Sequence, residues 1–382
     1  MSQPLAGLIV LDLSHMVAGP FATRILADLG ARIIKIERPG TGDDGRALPP
    51  FKSGKSAHFA ALNHSKASIA LDLKSGDGQE IAARLLARAD ILVEAFRPGV
   101  MDKFGLGWET LRTRHPRLIY GSLSGYGQTG PDARRPAYDM IAEARGGVMA
   151  ETGERGGLPV RLGAPIGDIA AAMYLAQGIL AALYDRERNG QGRRVDVAML
   201  DAQLALQSRG VAQSATGGRS PEPRGTRSAE IAPSEAVATS DGRIVLAAGN
   251  DRLFEKLCTA LDLPLSDDPR FASNADRVEN ARLLRRLIEA ITLEKTRAHW
   301  LARLTAAGIP CAPVQGVDEA MKDPQILARN MVVDVLDRNG RKAYVAPGNP
   351  IKMSGAEDRT ARSPAPDLDG NRGEILRWLD GE

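Results

Sequence analysis

Asp168 is the residue of this chain whose side chain is best placed to take part in a chemical reaction. It follows Gly167 and precedes a long apolar segment. A carboxylate at that position can cap a helix, or it can attack an acyl group as a nucleophile. Taken alone, the pattern favours the cap. The two roles are compatible, because N–H groups at a helix start lower the pKa of a carboxylate and keep it ionised. They would also help to hold the oxyanion formed when a thioester is attacked.

Other nucleophiles and metal sites find little support in the sequence. There is no GxSxG elbow, and Cys258 and Cys311 have no histidine nearby in the sequence. The two cysteines make neither a disulfide framework nor a metal-binding spacing, and the five histidines include no HExxH pair. We therefore predict no metal site and no tightly bound cofactor.

Two patterns resemble parts of a dinucleotide site. Residues 125–130 read literally as GxGxxG, but Pro131 follows, and a phosphate needs a helix N-terminus at that point. Glu37 ends a predicted strand where a ribose-binding acid would lie, yet the preceding turn, His15 to Pro20, has no glycine-rich fingerprint. The sequence indicates a glycine-rich loop here, without a dinucleotide site.

Basic residues at strand ends are candidate anion contacts. Arg38 directly follows the second predicted strand, and Arg97 follows the third. Ligands of open α/β sheets bind outside the carboxyl ends of the strands, so these two side chains would converge on an anionic ligand. Each also fits a solvated surface charge.

These residues must be positioned by alternating strands and helices. A strand at 7–13, a helix at 20–30 with Pro20 in first place and a strand at 33–37 predict a βαβ unit. Similar alternation continues to a strand at 194–198, with a long apolar helix at 168–187. The pattern predicts an α/β fold with a large, Rossmann-like parallel-sheet domain.

The rest of the chain predicts a second domain. We place the large domain at 1–213, a Gly- and Pro-rich linker at 214–243, and a smaller α+β domain at 244–325. Asp241-Gly242 predicts a hairpin at the start of the smaller domain. Residues 326–382 are predicted to return to the large domain.

The composition of the chain limits the classes of binding partner to be expected. The 382 residues carry a net charge of +3 without a long basic run, and only 4% are aromatic, which argues against a nucleic-acid surface. We see no apolar run of membrane length and no signal segment. We expect a cytoplasmic protein with neither nucleic-acid nor membrane partners.

Several motifs fall in one order along nearly the whole chain. They are Leu11-Asp12-Leu13-Ser14-His15 with Ala18-Gly19-Pro20, residues 34–40, Leu71-Asp72-Leu73-Lys74, residues 93–99, residues 124–131, Tyr138-Asp139, Gly167-Asp168 and residues 192–199. Together they closely resemble the class III coenzyme A transferases, the family of formyl-CoA transferase and carnitine CoA-transferase.

The resemblance implies two subunits threaded through each other as an interlocked homodimer. It also implies that Asp168 attacks an acyl-CoA thioester and forms a mixed anhydride, with the CoA thioester as substrate. The positions that would contact CoA are His15, Ala18, Arg38, Leu71, Lys74, Phe96, Arg97 and Lys103. Arg38 and Lys74 would meet its phosphates.

Departures from the family pattern affect the expected substrates. Val17 and Ala95 replace amide residues of the formyl-CoA transferases, Lys103 replaces an arginine, and only Gly217-Gly218 stands where they carry a longer glycine run. These differences argue against a formyl–oxalate pair.

Two other functions remain open. The related 2-methylacyl-CoA racemases carry a histidine where Tyr138 stands, and an unperturbed tyrosine titrates near 10, so transfer is favoured over racemisation. A non-catalytic CoA-ester binding protein is the third hypothesis.

The acceptor pocket is predicted to include the linker. Arg224 and Arg227 would clamp the free carboxylate of a dicarboxylic substrate, although both also fit solvated loop arginines. With Tyr138 they form the predicted substrate contacts. We expect succinyl-CoA as donor and a small dicarboxylate such as malate, citramalate or mesaconate as acceptor.

Overall fold

The computed structural model describes residues 3–337 and 339–381. The chain forms two compact units. The larger takes in the chain up to Met149, Arg161–Ser220 and the segment from Pro324 onward, and the smaller takes in Ala150–Val160 and Pro221–Asp323. Strands and helices are numbered below along the whole chain.

The larger unit is built on a six-stranded parallel sheet in the order β5-β2-β1-β6-β7-β8. Its strands are β1 (Ile9–Asp12), β2 (Arg32–Glu37), β5 (Lys66–Ala70), β6 (Ile91–Glu94), β7 (Ile119–Ser124) and β8 (Arg194–Ala198). The larger unit also contains two smaller sheets. One is a hairpin of β3 (Phe51–Lys52) and β4 (Lys55–Ser56), and the other consists of β12 (Val332–Leu336), β13 (Lys342–Pro347) and β14 (Ala361–Arg362). The sheet confirms the predicted α/β class.

Helices cover both faces of this sheet. The helices of the larger unit are α1 (Ala18–Asp28), α2 (Ala57–Asn63), α3 (Gly76–Leu86), α4 (Val100–Lys103), α5 (Trp108–Arg114), α6 (Asp139–Gly146), α8 (Ile166–Asn189), α9 (Met199–Leu206), α10 (Ser208–Gly217), α16 (Pro324–Ala328) and α17 (Arg372–Asp380), with a 3-10 turn at Asp44–Ala47. Helix α7 (Val148–Glu151) lies where the chain passes from one unit to the other.

Alternation of side chains along each strand produces two buried cores. Val10 of β1 belongs to the core that contains α1 and α8, whereas Leu11 belongs to the core that contains α3 and α17. A parallel sheet buried on both faces needs apolar residues at nearly every strand position, which explains the continuous runs that marked these strands in the sequence.

The smaller unit pairs one antiparallel sheet with helices. Its elements are β9 (Ser234–Thr239), β10 (Gly242–Ala247), β11 (Cys311–Pro313), α11 (Asp251–Leu261), α12 (Asn274–Glu279), α13 (Ala281–Thr292), α14 (Arg297–Ala306) and α15 (Val317–Ala320), with a 3-10 turn at Pro269–Phe271. The hairpin predicted at Asp241-Gly242 joins β9 and β10.

Some local predictions differ from the structure. Helix α1 begins at Ala18, so Pro20 is its third residue, a first-turn position where a missing N–H is also tolerated. Edge strand β5 was not predicted. The segment 214–243, interpreted as a linker, holds the end of α10 and all of β9. Gly217 ends α10, and Gly218 follows with φ +64°.

Helix α8 corrects the statement that no apolar run reaches membrane length. It has 24 residues, and its most apolar window has a mean hydropathy of 1.6, enough by length and composition to cross a bilayer. A single such helix is weak support for a span, because core helices pass the same test. Here α8 packs against α1, α9, β7 and β8.

Candidate active site

A cleft of about 340 Å³ opens in the larger unit at the carboxyl ends of β1, β6 and β7. The strand order reverses between β1 and β6, and the crevice at such a reversal is where open α/β sheets bind ligands. Six of the predicted site residues line this cleft: His15, Ala18, Phe96, Arg97, Tyr138 and Asp168.

Asp168 does not cap its helix. Helix α8 begins at Ile166 after Pro165, with no side-chain cap, so Asp168 is the third helical residue. The exposed N–H groups of this first turn are instead bound by Asp139, whose Oδ1 accepts from the N–H of Gly167 at 2.8 Å and of Asp168 at 3.2 Å. The carboxyl of Asp168 is thereby left to face the cleft.

The pKa of Asp168 is also shifted in the direction opposite to the one expected. Burial, followed by the negative charge of Asp139, raises it to about 7. The sequence argument assumed that helix N–H groups would stabilise the Asp168 carboxylate, but the first-turn N–H groups that bind a carboxylate are paired with Asp139. Asp168 is therefore a comparatively basic carboxyl group near neutral pH.

His15 and Phe96 form one wall of the cleft. Their ring centroids are 5.5 Å apart, and burial lowers the pKa of His15 although Asp43 and Asp44 oppose this. Behind Phe96, the buried Glu94 accepts the Phe96 N–H at 2.8 Å, and burial raises the pKa of Glu94 to about 7. These contacts fix the turns that follow β1 and β6.

A buried cluster of four charged side chains, Asp12, Lys35, Asp43 and Lys66, holds the turn that carries His15. Lys35 Nζ lies 2.9 Å from Asp43 Oδ2 and donates to the Ser14 carbonyl at 2.7 Å. Asp43 Oδ1 accepts the N–H of Met16 at 2.9 Å, at a residue held at φ +67°. Lys66 Nζ lies 3.0 Å from Asp12 Oδ2. The four charged side chains are almost completely buried.

The remaining predicted CoA contacts lie in the larger unit but do not line the cleft. Leu71 follows β5 and is buried, Lys74 is exposed in the same turn, and Arg38 follows β2 and binds the Gly42 carbonyl at 3.3 Å and Asp44. Because neighbouring strands are about 4.8 Å apart, the ends of β5, β2 and β1 span roughly 10 Å, which an extended ligand would cross. Lys103 ends α4 and is exposed.

The substrate arginines predicted from the linker belong to a different compact unit from Asp168. Arg224 and Arg227 belong to the smaller unit, whereas Asp168 and the cleft belong to the larger one. Sequence reasoning did not select Arg135 and Arg161, which line the cleft together with Asp139. Arg161 stands in an irregular segment before α8 and carries no motif, so no sequence signal pointed to it.

Glu37 has a structural role. Its two carboxylate oxygens accept from Arg46 Nε and Nη2, each at 2.7 Å, and Oε1 also accepts the Ser68 hydroxyl at 2.6 Å. An acid so fully paired is not free to bind a ribose, in agreement with the missing glycine fingerprint.

Comparison with known proteins identifies the family of the chain. The pattern of CoA-transferase family III matches residues 5–372. The chain is 44% identical to an acetyl-CoA:oxalate CoA-transferase of Acetobacter aceti, over 98% of this chain and 95% of the relative. It is 37% identical to a succinate–glutarate CoA-transferase of Agrobacterium fabrum, over 99% of this chain and 96% of that protein.

A solved structure shares the fold over the whole length. The crystal structure of a CAIB/BAIF family protein from Brucella suis superposes with a TM-score of 0.91 at 36% identity, covering 100% of both chains. Sequence, fold and relatives agree. The chain therefore belongs to CoA-transferase family III and is an enzyme that transfers CoA between carboxylic acids.

Proposed function

We propose that the protein transfers CoA from succinyl-CoA to a small dicarboxylic acid through an acyl anhydride on Asp168. One observation carries the proposal: the carboxyl of Asp168 faces a ligand-sized cleft at the sheet's topological switch point. Burial raises its pKa to about 7, so at neutral pH a large fraction is ionised and basic enough to attack a thioester.

The proposed chemistry proceeds by successive acyl exchange. The Asp168 carboxylate attacks the thioester carbonyl, the C–S bond breaks, and CoA leaves as a thiolate, which yields a mixed anhydride. The thiolate then attacks the Asp168 carbonyl and releases the donor acid, leaving an aspartyl-CoA thioester. The acceptor carboxylate displaces CoA again, and the thiolate attacks the acceptor carbonyl, which restores Asp168 and forms the product.

The cleft's cations support a dicarboxylic acceptor. Arg97, Arg135 and Arg161 line the same cleft as Asp168. Arg135 is paired with Asp132 at 3.0 Å, whereas Arg161 donates to the Leu162 carbonyl at 3.4 Å, a weak bond that a carboxylate would outcompete. We propose Arg161 as the clamp for the second carboxylate. Arg224 and Arg227 stay predicted contacts.

The named relatives use oxalate and glutarate, which are dicarboxylates. They support this class of acceptor for the present enzyme and return oxalate to the acids worth testing, although Val17 and Ala95 argued against it. Succinyl-CoA, acetyl-CoA and formyl-CoA are the donors to compare.

We further propose an interlocked homodimer, as the family resemblance implies. Large apolar side chains remain exposed on α8, α9 and α10, helices that pack on one another in series: Met173, Tyr174, Tyr184, Leu204, Leu206 and Val211. Light scattering after size-exclusion chromatography tests this proposal, because a single chain of 40.8 kDa would contradict it.

The decisive experiment traps the intermediate. Wild-type protein is mixed with succinyl-CoA and hydroxylamine, and mass spectrometry is expected to find a hydroxamate on Asp168. Asp168→Asn should lose the adduct and all transfer, while Asp201→Asn, which removes an exposed acid in the first turn of α9, should keep both.

Other outcomes identify the competing functions. Solvent deuterium entering a 2-methylacyl-CoA without an acceptor would indicate a racemase. CoA-ester binding without turnover on any acid would indicate a binding protein. Either result without an Asp168 adduct would overturn the proposal.

A further inference from the structure

Asp139 is in direct contact with the backbone that carries Asp168. It is the first residue of α6, and its Oδ1 accepts the N–H groups of Gly167 and Asp168 at 2.8 and 3.2 Å. A Cβ added at Gly167 would lie 2.9 Å from that same oxygen, so only glycine allows so close an approach. One carboxylate thus holds the first turn of α8.

Glu143 completes this arrangement one turn further along α6. It is fully buried, and its Oε2 accepts the Leu162 N–H at 3.0 Å. Among the residues that the structure describes, Glu143 Oε1 has no donor. Burial, together with the hydrogen bond and charge of Asp139, raises the pKa of Glu143.

Other ionisable groups also line the cleft around Asp168. They are His15 after β1, Arg97 after β6, Arg135 and Tyr138 before α6, and Arg161 before α8. Burial and Asp139 are the influences that raise the pKa of Asp168 to about 7. The backbone contact of Asp139 therefore coincides with an electrostatic one.

We propose that Asp139 is a positioning residue that fixes the first turn of α8 and, through its negative charge, keeps Asp168 a more basic and more reactive carboxylate. The proposal rests on Asp168 acting as the nucleophile of the proposed function. For attacking thiolates, nucleophilicity rises with basicity with a slope of about 0.4–0.5, so by analogy each unit of carboxylate pKa is worth about threefold in rate.

Two substitutions separate the charge from the hydrogen bonds. Asp139→Asn keeps an acceptor oxygen for the two N–H groups and removes the charge, whereas Asp139→Ala removes both. The first readout is the ionisation of Asp168, measured without turnover by infrared difference spectroscopy against Asp168→Asn. The second is the pH profile of kcat/KM for CoA transfer, with Asp201→Asn as the control.

Asp139→Asn should move the Asp168 titration and the acidic limb of kcat/KM to lower pH by on the order of one unit. The plateau should fall about threefold. Asp139→Ala should show the same shift with a larger loss of rate and a lower melting temperature, because two N–H groups lose their partner.

An unchanged Asp168 titration in Asp139→Asn would overturn the proposal, even with reduced activity. The spectroscopic readout keeps the two proposals separate. If no CoA transfer occurs in any variant but the titration moves, the proposed function fails while the electrostatic link between Asp139 and Asp168 stands.

Discussion

Replacing Lys35 by methionine tests whether the buried charge cluster holds the active-site turn. Lys35 is completely buried, and its Nζ lies 2.9 Å from Asp43 Oδ2, 3.8 Å from Asp12 Oδ2 and 2.7 Å from the Ser14 carbonyl. Methionine keeps the length and most of the volume of the side chain and removes the charge. Asp12 and Asp43 would then share Lys66 as their one remaining cation in the cluster.

The expected loss in the free energy of unfolding follows from the burial of Lys35. Removing one partner of a buried ion pair costs about 3–5 kcal/mol, because the other charge is left uncompensated away from water. The matched control is Lys342→Met, in a pair with Asp334 at 2.7 Å whose two side chains are each about half exposed. Exposed pairs contribute about 0.2–1 kcal/mol. The same substitution should therefore have effects that differ by about 3 kcal/mol.

Urea denaturation at pH 7 measures the difference, since both Lys35 and its partner Asp43 are charged there. Burial opposes ionisation of Asp43, but Lys35 and the N–H groups of Met16 and Gly45 together outweigh it and lower the pKa of Asp43, so that contribution is lost as pH falls through the lowered value. Burial also opposes the charge of Lys35, yet Asp12 and Asp43 raise its pKa, so that contribution is lost only in alkali.

The turn itself gives a second readout. Asp43 and Lys35 bind the backbone of Met16 and Ser14, on either side of His15, so Lys35→Met should also weaken CoA binding measured by calorimetry. The double variant Lys35→Met/Asp43→Asn should recover part of the lost stability, because both charges are absent. A Lys35→Met variant whose free energy of unfolding is within about 1 kcal/mol of Lys342→Met would refute this reasoning.

Two further outcomes are expected. Gly167→Ala should lower kcat by on the order of tenfold while leaving the circular dichroism spectrum unchanged. The reason is that the new Cβ would lie 2.9 Å from Asp139 Oδ1 and displace that oxygen. Unchanged kinetics would show that the contact between Asp139 and Gly167 does not matter. Burial, followed by Arg24 and Arg362, lowers the pKa of the fully buried His64 to about 3, so the unfolded chain takes up a proton below about pH 6.5 that the folded chain does not. Stability is therefore lost as pH falls, by about 1.6 kcal/mol between pH 6.5 and 5 from this group, and His64→Phe should flatten the measured dependence by that amount. Equal slopes in both proteins would contradict this expectation.

Much of the fold could be predicted from local pattern. Continuous apolar runs marked β1, β2, β6 and β7 because both faces of the parallel sheet are buried. Strand β5 was not predicted because its sequence, Lys66 to Ala70, contains a lysine and a serine. Their partners, Asp12 for Lys66 and Glu37 for Ser68, lie far away in the sequence, so nothing local showed that these polar groups are satisfied inside the protein.

The sequence by itself determined the alternating architecture and the order of motifs, because residue type and spacing suffice for these. The resemblance of those motifs to a known family, and not the local pattern, made Asp168 the candidate nucleophile. Only the tertiary structure decided what surrounds that carboxyl. It placed Asp139, 29 residues earlier in the chain, on the N–H groups that Asp168 was expected to use, and it brought Arg161 to the cleft. Burial and through-space charge set the ionisation of Asp168, and both depend on residues that only folding brings together.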